Sequence, residues 1–249
     1  MQNGISVALA PEQIATLWGI PITNTLLTSW IAVAILIIVA VIVRARLSYI
    51  PGRFQALLES LILYVQEFIN DTLENSLWSR RVFPLLLTLF LFIATSNIIE
   101  FTPGIGSIGF FRADGSFTPL FRSVNTDLNV TLTLAIISVI SIEVIGIMAV
   151  GFWRYAGKFF NFTSPLNFIV GLIEFVSELS RFVSFSFRLF GNIFAGEVLI
   201  AVATYFAPYI VPAPLMAFEM FVGFVQAAVF ALLTLFFIKL AIMDPHAAH

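Results

Sequence analysis

Apolar stretches long enough to cross a lipid bilayer recur along this sequence. A helix needs about 20 apolar residues to span the hydrocarbon core, and the segments 26–46, 82–101 and 126–153 are long enough to do so. The chain carries only 12 basic and 14 acidic residues in 249, whereas about a quarter of the residues in a soluble domain are charged. The sequence therefore predicts a polytopic membrane protein rather than a water-soluble globule.

The remaining segments complete a single membrane domain over residues 1–249, of which 1–25 form an outer N-terminal segment. Residues 53–78 carry four acidic side chains among apolar residues at near-helical spacing, which is typical of an amphipathic interfacial helix. Residues 161–243 are predicted to form a long tilted helical hairpin, with a proline-rich turn near 207–214. The predicted fold class is all-α, with about five membrane-embedded helices plus one amphipathic interfacial helix.

The composition excludes several classes of function. The chain has no cysteine, which excludes disulfides, iron–sulfur clusters and thiolate zinc sites. Its only histidines, His246 and His249, lie in the last four residues, so neither is expected to bind haem inside a membrane. The net charge of −2 provides no basic surface for nucleic acid. We therefore expect no metal, no cofactor and no nucleic-acid partner.

The distribution of basic residues predicts the orientation of the chain. If the N-terminus lies outside, only Arg112 and Arg122 fall in the outer loop, while eight basic residues face the cytoplasm. These eight are Arg44, Arg46, Arg53, Arg80, Arg81, Arg154, Lys158 and Lys239. An excess of basic residues marks the cytoplasmic side, so we expect the C-terminus to be cytoplasmic.

Arg188 is the residue that is hardest to accommodate in lipid, because it lies near the middle of the penultimate helix. Its guanidinium stays protonated, and no carboxylate lies three or four residues away on either side. Its partner must therefore come from another helix, another chain or water. Arg181 differs, because it lies nearer the cytoplasmic end, where Glu178 can pair with it at i,i+3 and Glu174 can snorkel.

Acidic side chains flank the mid-depth arginine on both sides. Glu197 lies nine residues after Arg188 toward the outside, and folding of the hairpin places Glu219 at a similar depth. Glu174 lies fourteen residues before Arg188, near the same helical face but toward the cytoplasm. This pattern suits two half-channels that do not join, separated by a fixed positive charge. A mobile carboxylate that passes the arginine would have to belong to a partner.

The run FRLFGNIFAGEVL at 187–199 resembles the signature of subunit a of the F-type rotary ATP synthase, of the bacterial and mitochondrial type. Three further runs resemble the same family in the same order: SNIIEFTPG at 96–104, TDLNVTLTLA at 126–135 and FVQAAVFALLT at 224–234. The resemblance implies a stator proton-channel subunit with two offset aqueous half-channels, which couples proton flow to rotation of the c-ring and to ATP synthesis. Such a chain is not an enzyme on its own.

The resemblance also implies partners and a location. The partners are the c-subunit ring, b-type peripheral stalk subunits, the remainder of the F1Fo complex, the lipid bilayer and the translocated proton. The implied location is a bacterial inner membrane, in preference to the mitochondrial inner membrane.

The resemblance also implies roles for individual residues, most of which lie in these four runs. Arg188 is implied to be the essential stator charge, with Asn192 at the same interface and Gln226 facing it from the last helix. Glu197 and Glu219 are implied to belong to the outer half-channel. Further pathway residues are Glu174 on the cytoplasmic side, Asn97 at the outer pathway, and the weaker candidates Glu100, Asp127, Asn129, Glu143 and Glu178. For Glu100, Asp127, Asn129 and Glu143, roles in an aqueous loop or as helix caps fit equally well.

Three alternatives stay open at this point. Many members of the family have a histidine at one of the positions occupied here by Glu197 and Glu219, and two glutamates leave a sodium-coupled version possible. Protons are favoured because nothing else in the sequence builds a sodium site. The second alternative is a self-contained ion transporter, although no inverted repeat is evident. The third is a structural anchor whose buried charges pair with other subunits.

Overall fold

The computed structural model describes residues 11–17, 20–49, 51–100, 102, 108–111, 117–157, 159, 165–208 and 210–243. The helices in these ranges are α1 (Asn24–Ala45), α2 (Arg53–Leu73), α3 (Ser76–Glu100), α4 (Leu128–Val150), α5 (Phe152–Ala156), α6 (Pro165–Phe206) and α7 (Pro212–Ile242). The strands are β1 (Gln13–Leu17), β2 (Ile20–Thr23), β3 (Gly109–Phe111) and β4 (Phe117–Pro119). Outside the described residues lie the predictions for 1–10, for the start of the hairpin at 161–164, and for Arg112, Lys158, His246 and His249.

Five of the helices, α1, α3, α4, α6 and α7, are long and apolar enough to cross a membrane. The predicted all-α polytopic fold class is therefore confirmed. The 42 residues of α6 span about 63 Å at 1.5 Å per residue, about twice the thickness of a hydrocarbon core. This helix must lie strongly tilted or extend beyond the core at its ends.

For the amphipathic helix predicted over 53–78, the predicted C-terminal boundary is wrong. The helix α2 ends at Leu73, because Glu74 adopts a left-handed backbone with φ of 52°. The side chain of Asn75 then accepts two backbone N–H groups of the following turn. This cap starts α3 at Ser76, six residues before the predicted span at 82–101. The apolar run in the sequence therefore covers only part of a longer helix.

The predicted span at 126–153 is shortened at both ends. The side chain of Asp127 caps α4, which therefore begins at Leu128. Gly151, with φ of 94°, ends the helix and turns the chain into the short helix α5. Only glycine adopts such a conformation without steric cost.

Two antiparallel hairpins were not predicted from the sequence. Strand β1 pairs with β2, and β3 pairs with β4, within regions predicted as an outer segment and a loop. The loop that follows β4 is joined to the start of α1, because the Thr28 hydroxyl accepts the backbone N–H of Arg122 at 3.2 Å. This contact fixes the loop at 120–127 to the end of the bundle where α1 begins.

The bundle is built around α7, which packs against α3, α4 and α6. One apolar cluster joins α3, α4, α6 and α7 and contains Leu89, Leu134, Leu189 and Phe230. A second cluster joins α2, α3, α4, α5 and α7 and contains Ile69, Val82, Ile142, Tyr155 and Ile238. The helix α6 contributes only one side to this core, so its opposite side stays exposed along most of its length.

Candidate functional site around Arg188

Arg188 lies on the exposed side of α6. Its Nη2 atom donates a hydrogen bond of 3.0 Å to the Ser184 hydroxyl, one turn earlier on the same helix. No carboxylate of the described residues lies within 4.0 Å of its guanidinium. The structure thus places a full positive charge on an open helix face, without an ion pair to any side chain that the structure describes.

A cleft of about 350 Å³ adjoins Arg188 between α6 and α7. Its polar side is formed by Ser177, Ser180 and Ser184 on α6. These serines recur at spacings of three and four residues and lead to Arg188, so they share one helical face. Sequence reasoning missed this serine stripe, although the regular spacing in an otherwise apolar helix was the signal that could have revealed it.

Arg181, which also lines this cleft, is paired with acidic residues of its own helix. Its Nη1 atom lies 2.8 Å from Glu178 Oε1, and its Nη2 atom lies 3.6 Å from Glu174 Oε1. Its guanidinium also lies 4.7 Å from the centre of the Phe237 ring, a favourable cation–π geometry. The i,i+3 pairing of Glu178 with Arg181 is thus present, and Glu174 shares the same arginine.

Glu143 lies near Tyr155, a residue that sequence reasoning did not select. The ring of Tyr155 is buried against Gly146, one turn after Glu143 on α4. Burial raises the pKa of the Tyr155 phenol, and the adjacent Glu143 carboxylate raises this pKa further. Tyr155 also lies within electrostatic reach of Glu178 and Arg181. Tyr155 therefore lies between Glu143 of α4 and the Glu178–Arg181 pair of α6.

Asn192 and Gln226 meet one turn beyond Arg188. The Asn192 Nδ2 atom donates to Gln226 Oε1 at 3.4 Å, which joins α6 to α7. The Gln226 side chain is buried, and its Nε2 atom has no hydrogen-bond partner among the described residues. This contact lies between Arg188 and Glu197 along α6.

Glu219 is a buried acidic residue of α7, with 5% of its surface exposed. Its carboxyl group lies directly against the backbone of Gly196, where a Cβ atom would overlap it. Glu197 follows this glycine, and its own carboxyl group lies close to Arg122 and Thr126. Because glycine at position 196 has no side chain, the carboxyl group of Glu219 on α7 can approach the backbone of α6.

Glu100 is a third carboxylate in the same region. The Ser123 hydroxyl donates to Glu100 Oε2 at 2.5 Å, and the charges of Glu197, Glu219 and Arg122 all act on this carboxylate. We call Glu100, Glu197, Glu219 and Arg122 the outer cluster, after the half-channel that the resemblance implies for Glu197 and Glu219. Each of its three carboxylates has one buried oxygen without a hydrogen-bond partner in the described part of the chain. Such oxygens need a proton, water or a cation as partner.

Asn97 is fully buried and joins three elements next to the outer cluster. Its Nδ2 atom donates to the Gly223 carbonyl at 2.8 Å, and its Oδ1 atom accepts from Asn125 Nδ2 at 2.6 Å. Asn97 thereby links α3 to α7 and to the loop before α4. Sequence reasoning did not select Asn125, because only the fold brings this loop residue next to α3.

Asp127 and Asn129 are not brought into the outer cluster. Asp127 caps α4, because its Oδ1 atom accepts the backbone N–H of Asn129 at 2.9 Å. Its Oδ2 atom accepts from the Thr25 hydroxyl at 2.9 Å, which fixes α4 to the start of α1. The Asn129 residue is exposed. The helix-cap role that the sequence allowed is therefore the one that Asp127 has.

The comparison with known proteins agrees with the resemblance seen in the sequence. Residues 26–239 match the family described as ATP synthase A chain. The chain belongs to this family. As a subunit a, it is a multi-pass membrane component of the ATP synthase complex and not a catalytic subunit. Its partners are the other subunits of that complex.

Individual relatives match over most of their length. The chain is 33% identical to "ATP synthase subunit a, sodium ion specific" of Propionigenium modestum over 238 residues, 94% of this chain and 79% of the relative. It is 32% identical to ATP synthase subunit a of Moorella thermoacetica over 228 residues, 92% of this chain and 94% of the relative. It is 36% identical to ATP synthase subunit a of Campylobacter jejuni over 203 residues, 80% of this chain and 81% of the relative.

Proposed function

We propose that this subunit a is the stator of a rotary ion motor, in which Arg188 separates two offset half-channels. The observation that carries the proposal is the open position of Arg188. Its guanidinium is exposed and free of ion pairs in the described residues, while acidic groups lie on both sides of it along α6. A cation presented in this way can attract a carboxylate from a partner helix and keep it ionised.

The outer half-channel is proposed to lead through the outer cluster. The ion enters among Glu100, Glu197 and Glu219 and passes Gln226 and Asn192 on the way to the arginine region. The buried carboxylate oxygens in this region can accept and release protons in turn. The proton then neutralises a c-subunit carboxylate, and the neutral form can enter lipid without the cost of several kcal/mol that a charged side chain meets there.

The cytoplasmic half-channel is proposed to follow the serine stripe. After nearly a full turn of the ring, the c-subunit carboxyl group releases its proton into the cleft, toward Glu174 and Glu178. The ionised carboxylate then passes Arg188, whose fixed charge blocks a direct path for protons between the two halves. Each elementary charge that crosses 100 mV supplies about 2.3 kcal/mol, so several protons are needed for each ATP.

The exposed side of α6 is the proposed contact surface for the c-ring. It presents large apolar side chains next to the arginine, including Leu179, Val183 and Phe187. The b-type peripheral stalk subunits are proposed as further partners because the chain belongs to this family. The proposed location is a bacterial inner membrane, with the N-terminus outside and the C-terminus cytoplasmic, since the basic residues favour that orientation.

Protons are the proposed coupling ion, because Arg122 already supplies a positive charge to Glu100 and Glu197 and would disfavour a second cation. The sodium-coupled version is the second candidate, since a relative that is 33% identical is named sodium ion specific. ATP-driven transport by the complex in liposomes distinguishes them. Proton coupling predicts acidification of the lumen that is unchanged when sodium is removed, and sodium coupling predicts uptake of labelled sodium.

The role of Arg188 is tested with Arg188→Lys in the whole complex. Lysine keeps the charge but loses the forked guanidinium, so we expect the complex to assemble and to lose ATP synthesis driven by a proton gradient. Arg44→Lys on the exposed end of α1 is the matched control and should leave synthesis unchanged. Normal synthesis by Arg188→Lys would refute the proposed role and favour a structural anchor. Coupled ion transport by the purified chain alone would instead favour a self-contained transporter.

A further inference from the structure

A second polar cleft, of about 310 Å³, lies between α2 and the first turns of α3. It is lined by Leu63, Gln66, Glu67, Asn70, Ser76, Ser79 and Arg80. The proposed ion pathway uses none of these residues. The cleft is therefore a separate feature that needs its own explanation.

Ser79 is the residue that indicates a ligand in this cleft. It is 1% exposed, and its hydroxyl has no hydrogen-bond partner among the described residues. Serine hydroxyls on helices commonly donate to the carbonyl one turn earlier, but the one at position 79 does not do so. A buried hydroxyl without a partner is costly, and a polar ligand atom in the cleft would remove that cost.

Glu67 and Arg80 place opposite charges on the walls of the same cleft. They form no ion pair within 4.0 Å with each other or with any other side chain in the described ranges. One charge lies on α2 and the other on α3. Opposite charges that line one cleft without pairing favour a ligand that itself carries a positive and a negative group.

The sequence around the cleft places it at the edge of the hydrocarbon core. The apolar stretch of α3 begins at Val82, directly after two arginines, and Trp78 lies one turn before it. Arginine and tryptophan in such positions mark the headgroup region of a bilayer. Leu63 and Leu77 are 56% and 71% exposed next to the cleft, so they provide an apolar surface for acyl chains.

We propose that this cleft binds the zwitterionic headgroup of a phospholipid, with phosphatidylethanolamine as the type that fits best. Arg80 and the Ser79 hydroxyl bind the phosphate near the positive N-terminal end of α3. Glu67 binds the ammonium group, and the acyl chains lie along Leu63. The cleft thereby fixes a lipid in the corner between the interfacial helix and the bundle.

Native mass spectrometry of the purified complex, delipidated and then supplied with equal amounts of phosphatidylethanolamine and phosphatidylglycerol, tests the proposal. We expect retention of phosphatidylethanolamine in preference to phosphatidylglycerol. Arg80→Gln should lower retention of both lipids about tenfold, since it removes a charge-assisted hydrogen bond. Glu67→Gln should lower retention of phosphatidylethanolamine alone, so that the preference is lost.

Two matched controls lie next to the cleft without lining it. Arg81→Gln removes an arginine that lies over the Trp78 ring at 5.1 Å, and Asp71→Asn removes an exposed carboxylate of α2. Both should retain the lipid preference. Equal retention of the two lipids by the unmodified complex, or equal effects of the control and cleft variants, would overturn the proposal. Full displacement of the lipid by inorganic phosphate would also overturn it, because the cleft would then recognise the phosphate alone.

Discussion

Gly196→Ala tests whether the approach of the Glu219 carboxyl group to α6 matters for ion flow. A Cβ atom at position 196 would lie 3.0 Å from Glu219 Oε1 and closer still to its Cδ and Oε2 atoms. The side chain of Glu219 is flexible, so it can move away, but the carboxyl group must leave its present position. Gly191 on the same helix is the matched control, because a Cβ atom there would meet nothing within 4 Å.

The two substitutions differ in their expected effect on stability. Replacement of a helical glycine by alanine stabilises by about 0.5–1 kcal/mol, and Gly191→Ala should show this gain in full. At Gly196 the gain is offset by a displaced rotamer, which costs about 0.5–1.5 kcal/mol. We therefore expect Gly196→Ala to be about 1 kcal/mol less stable than Gly191→Ala when the purified subunit is unfolded in detergent.

The effect of Gly196→Ala on ion flow should be larger than its effect on stability. A positioned acid–base group contributes about 100-fold or more to proton transfer, so its displacement should slow proton flux through the reconstituted complex at least tenfold. The double variant Gly196→Ala, Glu219→Asp shortens the acidic side chain and should recover part of the flux relative to Gly196→Ala alone. If Gly196→Ala conducts protons normally and is as stable as Gly191→Ala, the inferred packing of Glu219 on α6 is refuted.

Three further predictions concern the scaffold. Gly146→Ala should lower the stability of the subunit in detergent by about 1–3 kcal/mol, because its Cβ atom would lie 2.6 Å from the rigid ring of Tyr155; an unchanged unfolding midpoint would contradict the packing of α5 on α4. Asn97→Ala should cost about 1–3 kcal/mol, since it removes two buried hydrogen bonds and leaves the Asn125 amide group without its Asn97 partner. Asn129→Ala on the exposed surface should stay within about 0.5 kcal/mol. Burial and the adjacent Glu143 raise the pKa of Tyr155, so the folded state favours the protonated phenol. This preference stabilises the fold below about pH 10, and the stabilisation is lost as the pH rises further. At about pH 11, folded wild-type protein and folded Tyr155→Phe should therefore give equal tyrosinate absorbance. In denaturant the two absorbances should differ by one tyrosine. A difference already present in the folded proteins would disprove the raised pKa of Tyr155.

The sequence alone determined the membrane fold and the position of the central charge. Runs of about 20 apolar residues have few stable arrangements other than spanning helices, so the spans could be predicted from local sequence. Arg188 could be selected for the same reason, since its position along α6 follows from counting residues. Helix ends were predicted less well, because caps such as Asn75 and turns such as Gly151 depend on single residues outside the apolar runs.

Only the tertiary structure decided which polar residues act together. Glu100, Ser123, Glu197 and Glu219 come from three helices and a loop, and Tyr155 reaches Glu143 only because Gly151 turns the chain back. The structure also separated Asp127, which caps a helix, from the carboxylates that the sequence grouped with it. Hydropathy determines which segments enter lipid, but contacts between distant segments depend on how helices pack, and that information is spread over the whole chain.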